Sequence, residues 1–297
     1  MVMPNFIIIG AGRAGTTSLY HYLQQHPQAY MSPTKETNFF GYSEGYSGEF
    51  GKVPFPITSL KKYQNLFRSV ARERAIGEAS PLYLSFPGCA ENIKTHIPGV
   101  RIIVLLRNPM ERAYSSYLRN RRDGFERRNF ACALRDENIG RIAELSYGQA
   151  NYVNIGFYYV HLTRYYDLFD PANIAVFLFD DMQADTHAFL KHVFRFLEID
   201  EDFIADVSIR HNAAGLPRYR ILKPLLWKSR FIGPLRRVLP NVMVRRALAI
   251  QERLRSRQLF IPPLVPELRR ELTNVYRADV EKLQGLIQRD LSMWLAH

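Results

Sequence analysis

Cysteine is nearly absent from this chain of 297 residues, which carries only Cys89 and Cys132. Two thiols do not build a disulfide framework, and neither sits at a metal-ligand spacing. This excludes a disulfide-stapled secreted scaffold and leaves a reducing, cytoplasmic setting as the expectation. No His, Cys or carboxylate cluster has metal-site spacing either, so no metal is expected. Long apolar runs are missing too. The N-terminal "FIII", Phe6 to Ile9, is far shorter than the roughly 20 residues of a membrane span or than a signal-peptide core, and no basic stretch precedes it. Acidic charge is in deficit. The chain has 28 Asp plus Glu against 40 Lys plus Arg, a net +12, which favours an anionic ligand, an acidic acceptor or a membrane surface. Internal repeats and low-complexity tracts are absent as well, and at 47% hydrophobic residues the chain can bury a large core.

What is present is an alternation of short apolar runs with helical patterns. Strands are predicted at Phe6 to Ile9, Ala29 to Met31, Ala75 to Gly77, Arg101 to Leu106 and Ile174 to Phe179. Runs such as "RIIVLL" and "IAVFLF" lack polar alternation, as strands buried on both faces of a parallel sheet do. The fold class is therefore α/β: three layers, a central parallel sheet flanked by helices, P-loop-like. From Leu216 onward the composition shifts. Pro217, Pro224, Pro234, Pro240, Pro262 and Pro263 punctuate an arginine-rich stretch that reads as short helices rather than strands. After Pro266, Leu268, Leu272, Val275, Val280, Leu283, Leu286 and Ile287 keep helical spacing, which predicts a helix packed back on the sheet. Residues 1–297 thus read as one domain, with 217–265 as a helical lid or acceptor-binding insertion.

The stretch "FIIIGAGRAGTTSLYHYL" fits more than one phosphate-binding pattern. Gly10, Gly12 and Gly15 have the spacing of a dinucleotide-binding turn, and Gly10, Gly15, Thr16 and Thr17 nearly that of a triphosphate P-loop. In either case a buried strand delivers a turn whose amides, with the following helix N-terminus, hold an anion. Position 16 is Thr where the triphosphate loop needs Lys, and "AYMSPTKE" offers no clean acidic ribose contact. What remains is Arg13 before the glycine and a hydroxyl run, Thr16, Thr17 and Ser18, suited to a leaving group that departs as phosphate. In "RIIVLLRNPMERAYSSYLR", Arg107 ends a buried strand, Pro109 stands near a helix start and Ser115 follows about two turns on. Ligands in open α/β sheets bind at that strand edge, so Arg107 and Ser115 are candidates for a second phosphate.

With both stretches in view, about 90 residues apart and in this order, the sequence resembles the sulfotransferases that use 3'-phosphoadenosine 5'-phosphosulfate, in particular the branch of heparan sulfate sulfotransferases and their bacterial relatives. "GAGRAGTTSL" is similar to that family's 5'-phosphosulfate loop, and "LLRNPMERAYSSY" to its 3'-phosphate motif. The resemblance implies that Arg13, Ala14, Gly15, Thr16, Thr17 and Ser18 hold the 5' side, and Arg107 and Ser115, with Arg218 nearby, the 3'-phosphate. "KETNFF" is similar to the segment whose glutamate is the catalytic base, which assigns Glu36. "GEASPLYL" resembles a substrate-side strand and turn, and "RHNAAGLPR" and "RDLSMWL" also match, with 217–265 matched least. Arg13 stands where many members carry lysine, which implies charge stabilisation rather than proton donation, since arginine stays protonated. Ala79 stands where glycosaminoglycan-modifying members carry lysine.

The implied reaction is in-line transfer of a sulfuryl group to a hydroxyl or amine acceptor, leaving adenosine 3',5'-bisphosphate, without metal. The acceptor class implied is a carbohydrate, glycolipid or other small metabolite. Leu225, Leu226, Trp227, Phe231 and Ile232 among basic residues add peripheral membrane contact through 217–265 as an expectation. Phe39 and Phe40 read as core or pocket lining, and His161 as a packing or helix-capping residue. Two other classes stay open at this point. A P-loop nucleotide kinase is disfavoured by Thr16 and by the lack of a strand-end Asp for Mg²⁺. The other is a noncatalytic basic module for anions or lipid; nucleic acid is not expected as a partner, since no recognition motif for it is present.

Overall fold

The computed structural model describes residues 2–41, 57–135, 151–208, 215–218 and 258–296. Five strands form one all-parallel sheet: β1 (Phe6–Gly10), β2 (Ala29–Met31), β3 (Ala75–Ala79), β4 (Arg101–Leu106) and β5 (Ile174–Leu178), in the order β2-β3-β1-β4-β5. These are the five strands read from the sequence, with ends displaced by two residues at most. Every residue of β1 is buried, as is nearly all of β4, because helices cover both faces of the sheet.

The connections are helical: α1 (Thr16–Leu23), α2 (Leu60–Gln64), α3 (Cys89–His96), α4 (Pro109–Asp123), α5 (Phe130–Arg135), α6 (Tyr158–Tyr166), α7 (Phe179–Ala184) and α8 (Thr186–Leu197). In α4, Asn108 caps the start, its Oδ1 accepting from the amides of Met110 and Glu111, Pro109 occupies the first turn where its missing N–H costs nothing, and Gly124 ends the helix at φ 90°.

This strand order places a topological switch beside β1. The chain leaves β1 toward β2 and leaves β4 toward β5, so the loops after β1 and β4 diverge and open a crevice at the carboxyl edge of the sheet. Register fixes how close they are, since Ile8 pairs with Ile103 and Gly10 with Val104. On the other flank Ile8 pairs with Ala79, so β3 ends beside the same loop.

The later part differs from expectation at the described ends of one stretch. The described ends of the 217–265 stretch form a small antiparallel pair, β6 (Leu216–Pro217) with β7 (Leu259–Phe260), where helices were expected; residues 219–257, including the candidate membrane-contact side chains, lie outside the described residues. The long helix α9 (Pro266–Ile287) forms as read, and it packs against α6 and α4. Tyr276 donates its hydroxyl to the Val153 carbonyl, and Asp279 accepts from the amides of Tyr159 and Val160 at the start of α6. The chain closes with α10 (Ser292–Leu295), whose Trp294 donates Nε1–H to Asp180 and receives Asn108 Nδ2–H on its carbonyl.

Candidate active site

Gly15 is the pivot of the loop after β1. At φ 96° it caps α1 in the left-handed region, and a Cβ there would come within 2.5 Å of Met182 Cε and 3.0 Å of Phe179. Both conformation and space therefore require glycine. As it offers no side-chain cap, and the first turn of α1 holds no acidic residue, the helix start presents amides and a positive dipole end to an anion. Ala14, Thr16 and Ser18 are buried there, and Thr17 is half-buried.

Arg13, in the same loop at φ 72°, reaches across the switch point and donates Nε–H to Ser115 Oγ at 3.1 Å. One hydrogen bond thus joins the two stretches singled out in the sequence, although 102 residues separate them. The guanidinium lies in a field of like charge. Burial, followed by the charges of Arg119, Arg122 and Arg107, lowers its pKa from 12.5 to about 9, with Asp123 acting the opposite way. Such a concentration of arginines at a sheet edge and helix N-terminus suits an anion that carries more than one charge.

Arg107 leaves β4 beside this pair. Its Nε and one terminal nitrogen donate to Glu111 Oε2 at 3.2 and 2.8 Å, and the guanidinium sits 4.9 Å from the Phe179 ring centre. Arg107, Glu111, Tyr114 and Ser115 form one wall of a pocket of about 220 Å³; the opposite wall is Ile261 to Leu264 together with Arg269 of α9. The lining combines charged side chains with apolar ones, a mixture that a nucleotide can use. Arg218 is exposed, immediately after β6, and β6 lies against α4.

On the β3 side, Glu36 is held by its backbone, its amide donating to the Ala79 carbonyl at 3.0 Å. Its side chain is 47% exposed and accepts from Lys35 Nζ at 2.9 Å. Adjacent strands are about 5 Å apart, so Glu36 and Arg107 flank the β1 loop from opposite sides. The aromatic neighbours are core rather than pocket: Phe39 stacks on Tyr63 at 4.5 Å and Phe40 meets Tyr83. His161 is buried as well, its Nε2 against the Asn154 carbonyl and its Nδ1 accepting from Arg164, and burial lowers its pKa to about 3. It is a neutral packing residue. Both cysteines are free thiols, and among the described residues no group of His, Cys, Asp or Glu is arranged to hold a metal.

Several residues at the site were not singled out in the sequence. Arg119 and Arg122 follow Ser115 by four and seven positions, so their shared helix face was readable from the 3.6-residue period. Glu111 follows Arg107 by four, an ordinary helical ion-pair spacing. Arg269 and the Ile261 to Leu264 wall gave no local signal, since only the tertiary fold brings them to α4.

The model of the family described as "Sulfotransferase domain" matches residues 3–212, more than two thirds of the chain. The protein belongs to this family. A solved bacterial sulfotransferase from Alicyclobacillus acidocaldarius is similar over 100% of both chains at 30% identity, with a TM-score of 0.76. The membrane-associated sulfotransferase kil1 of Dictyostelium discoideum is 35% identical over 119 residues, 39% of this chain and 23% of that protein. Human carbohydrate sulfotransferase 15 is 26% identical over 252 residues, 66% of this chain and 44% of that one. The sulfotransferase chain thus spans less than half the length of these two curated relatives.

Proposed function

We propose that this sulfotransferase takes 3'-phosphoadenosine 5'-phosphosulfate as donor and transfers its sulfuryl group to a hydroxyl or amine of a carbohydrate-bearing acceptor, as one domain acting in the cytoplasm. The single observation that carries the reading is the Arg13–Ser115 hydrogen bond at the β1/β4 switch point, with Arg107 in the adjoining pocket. The residues present fit such a donor. The start of α1 with Arg13 would hold the 5' side, Ser115 and Arg107 the 3'-phosphate, and the pocket against Ile261 to Leu264 the apolar remainder. Arg218, which follows the strand β6 that lies against α4, would add charge at the 3' side. The carbohydrate class rests on the similarity to a carbohydrate sulfotransferase, and Ala79 argues against a glycosaminoglycan as such.

When bound, the donor supplies an activated sulfur–oxygen bond whose cleavage releases phosphate charge. Arg13, the α1 amides and the Thr16 to Ser18 hydroxyls stabilise that charge, a preorganised effect that is commonly the largest contribution to a rate. Glu36 accepts the acceptor's proton as its oxygen or nitrogen attacks, a general-base contribution of about 10²- to 10⁴-fold. Its exposure suits this role, since the acceptor must reach it. The test is Glu36→Gln, assayed with ³⁵S-labelled donor and glycan and glycolipid extracts. Donor affinity should be unchanged within about twofold and transfer should fall by about 10²-fold or more. A folded Glu36→Gln with full transfer overturns the base assignment.

A further inference from the structure

One buried group lies outside the donor site and has no role in the chemistry above. Glu78, at the end of β3, is 0% exposed, and among the described residues no basic side chain hydrogen-bonds to it. Four hydroxyls surround it instead. Thr37 Oγ1 and Ser80 Oγ donate to its Oε2, each at 2.8 Å, and Tyr63 and Tyr83 donate to its Oε1 at 3.0 and 2.9 Å. Burial raises the carboxyl pKa, and the hydrogen bonds from these hydroxyls act against that rise.

The second layer of this cluster gives it a direction. Three of the hydroxyls also accept a backbone amide from the loop that carries Glu36: Asn38 N donates to Ser80 Oγ at 3.1 Å, Phe39 N to Thr37 Oγ1 at 3.4 Å and Phe40 N to Tyr83 OH at 3.3 Å. Three consecutive amides thus each reach Glu78 through one hydroxyl. The Thr37 and Tyr83 hydroxyls also lie 3.0 Å from each other, which ties two of the arms together, and the four hydroxyls match in number the four acceptor positions of an ionised Glu78. The loop needs such a hold, because both Glu36 and Asn38 lie at positive φ, 62° and 50°. For non-glycine residues this conformation persists only where the surroundings impose it.

We propose that Glu78 is the positioning residue for Glu36: through Ser80, Thr37 and Tyr83 it fixes residues 37–40, and so sets the direction in which the Glu36 carboxylate meets the acceptor. The proposal rests on Glu36 being the base. A purely structural carboxylate would change stability and leave the rate per folded molecule alone.

Two measurements test it, on Ser80→Ala, which removes one arm and keeps the buried carboxylate, and on Glu78→Gln, which keeps size but puts an amide donor against hydroxyl protons. The first is amide hydrogen exchange of the unliganded protein. Loss of an arm should speed exchange at Asn38 to Phe40 about fivefold or more, with the β1 and β4 amides unchanged. The second is a double-mutant cycle on sulfuryl transfer to water, read as ³⁵S-sulfate released from the donor. Ser80→Ala should lower kcat roughly 10- to 100-fold with the affinity for adenosine 3',5'-bisphosphate unchanged, and should have no further effect in a Glu36→Gln background. If Glu36→Gln is slow and Ser80→Ala is either fully active or additive with it, the positioning role fails and the base assignment stands. If Glu36→Gln is as fast as the wild type, both fall. Unchanged exchange at Asn38 to Phe40 in the folded variants also overturns the proposal, and this arm remains decisive where Glu78→Gln does not fold.

Discussion

At the scale of single residues, Arg13, proposed to hold the donor's 5' side, carries a structural cost. Its pKa is lowered to about 9, so the fold disfavours the charged form. A base whose folded pKa lies below its unfolded value destabilises the fold by the full amount below the folded pKa, and the penalty recedes as pH rises from about 9 toward 12.5. At neutral pH the whole penalty is present. Arg13→Met should therefore stabilise the unliganded protein by on the order of 1 kcal/mol, an increase in Tm on the order of 2 °C, while losing stabilisation by adenosine 3',5'-bisphosphate. Calorimetric melting with and without nucleotide checks both; a destabilised Arg13→Met that still responds to the bisphosphate contradicts the assignment. Arg13 and Ser115 were legible in the sequence because a loop glycine and a strand-end motif are local signals. Glu78 was not, since its meaning lies in partners from three separate segments, and the exposure of Glu36 could not be read from two adjacent phenylalanines.

At the scale of elements, the five strands were legible because buried parallel strands are written as unbroken apolar runs, and a short strand leaves little room for error at its ends. The packing of α9 was not. An apolar helix face states that it is buried and does not name its partner; here α6 and α4 supply it. The join is Asp279, whose carboxylate accepts the amides of Tyr159 and Val160 where α6 begins, and burial raises its pKa to about 6. A carboxyl group with a raised pKa lowers stability as pH rises from about 4 to 6, and above that the loss is constant. Asp279→Asn retains an acceptor and removes the titration. Urea denaturation should show the variant gaining on the wild type by on the order of 1 kcal/mol between pH 4 and 6 and no further above pH 6. A difference independent of pH would mean that Asp279 does not titrate in this window. The β6–β7 pair was also missed, because two residues per strand carry no period to detect.

At the scale of the whole molecule, the strand order puts the candidate site residues at one sheet edge: the glycine-containing loop after β1, Arg107 and Ser115 after β4, and Glu36 beside the end of β3. The net charge of +12 read from composition has a local counterpart in Arg13, Arg107, Arg119 and Arg122. Among the described residues no helix is long and apolar enough to cross a membrane. The central claim is that this edge recognises a nucleotide by two separated phosphates. Isothermal titration of wild type and Arg107→Ala with adenosine 3',5'-bisphosphate and with AMP, which lacks the 3'-phosphate, tests it most directly. Loss of a charged hydrogen bond costs roughly 1.5 to 3 kcal/mol, so Arg107→Ala should weaken the bisphosphate on the order of tenfold to a hundredfold and leave AMP nearly unchanged. Equal losses for both nucleotides, or a wild type that binds AMP as tightly as the bisphosphate, would contradict the account.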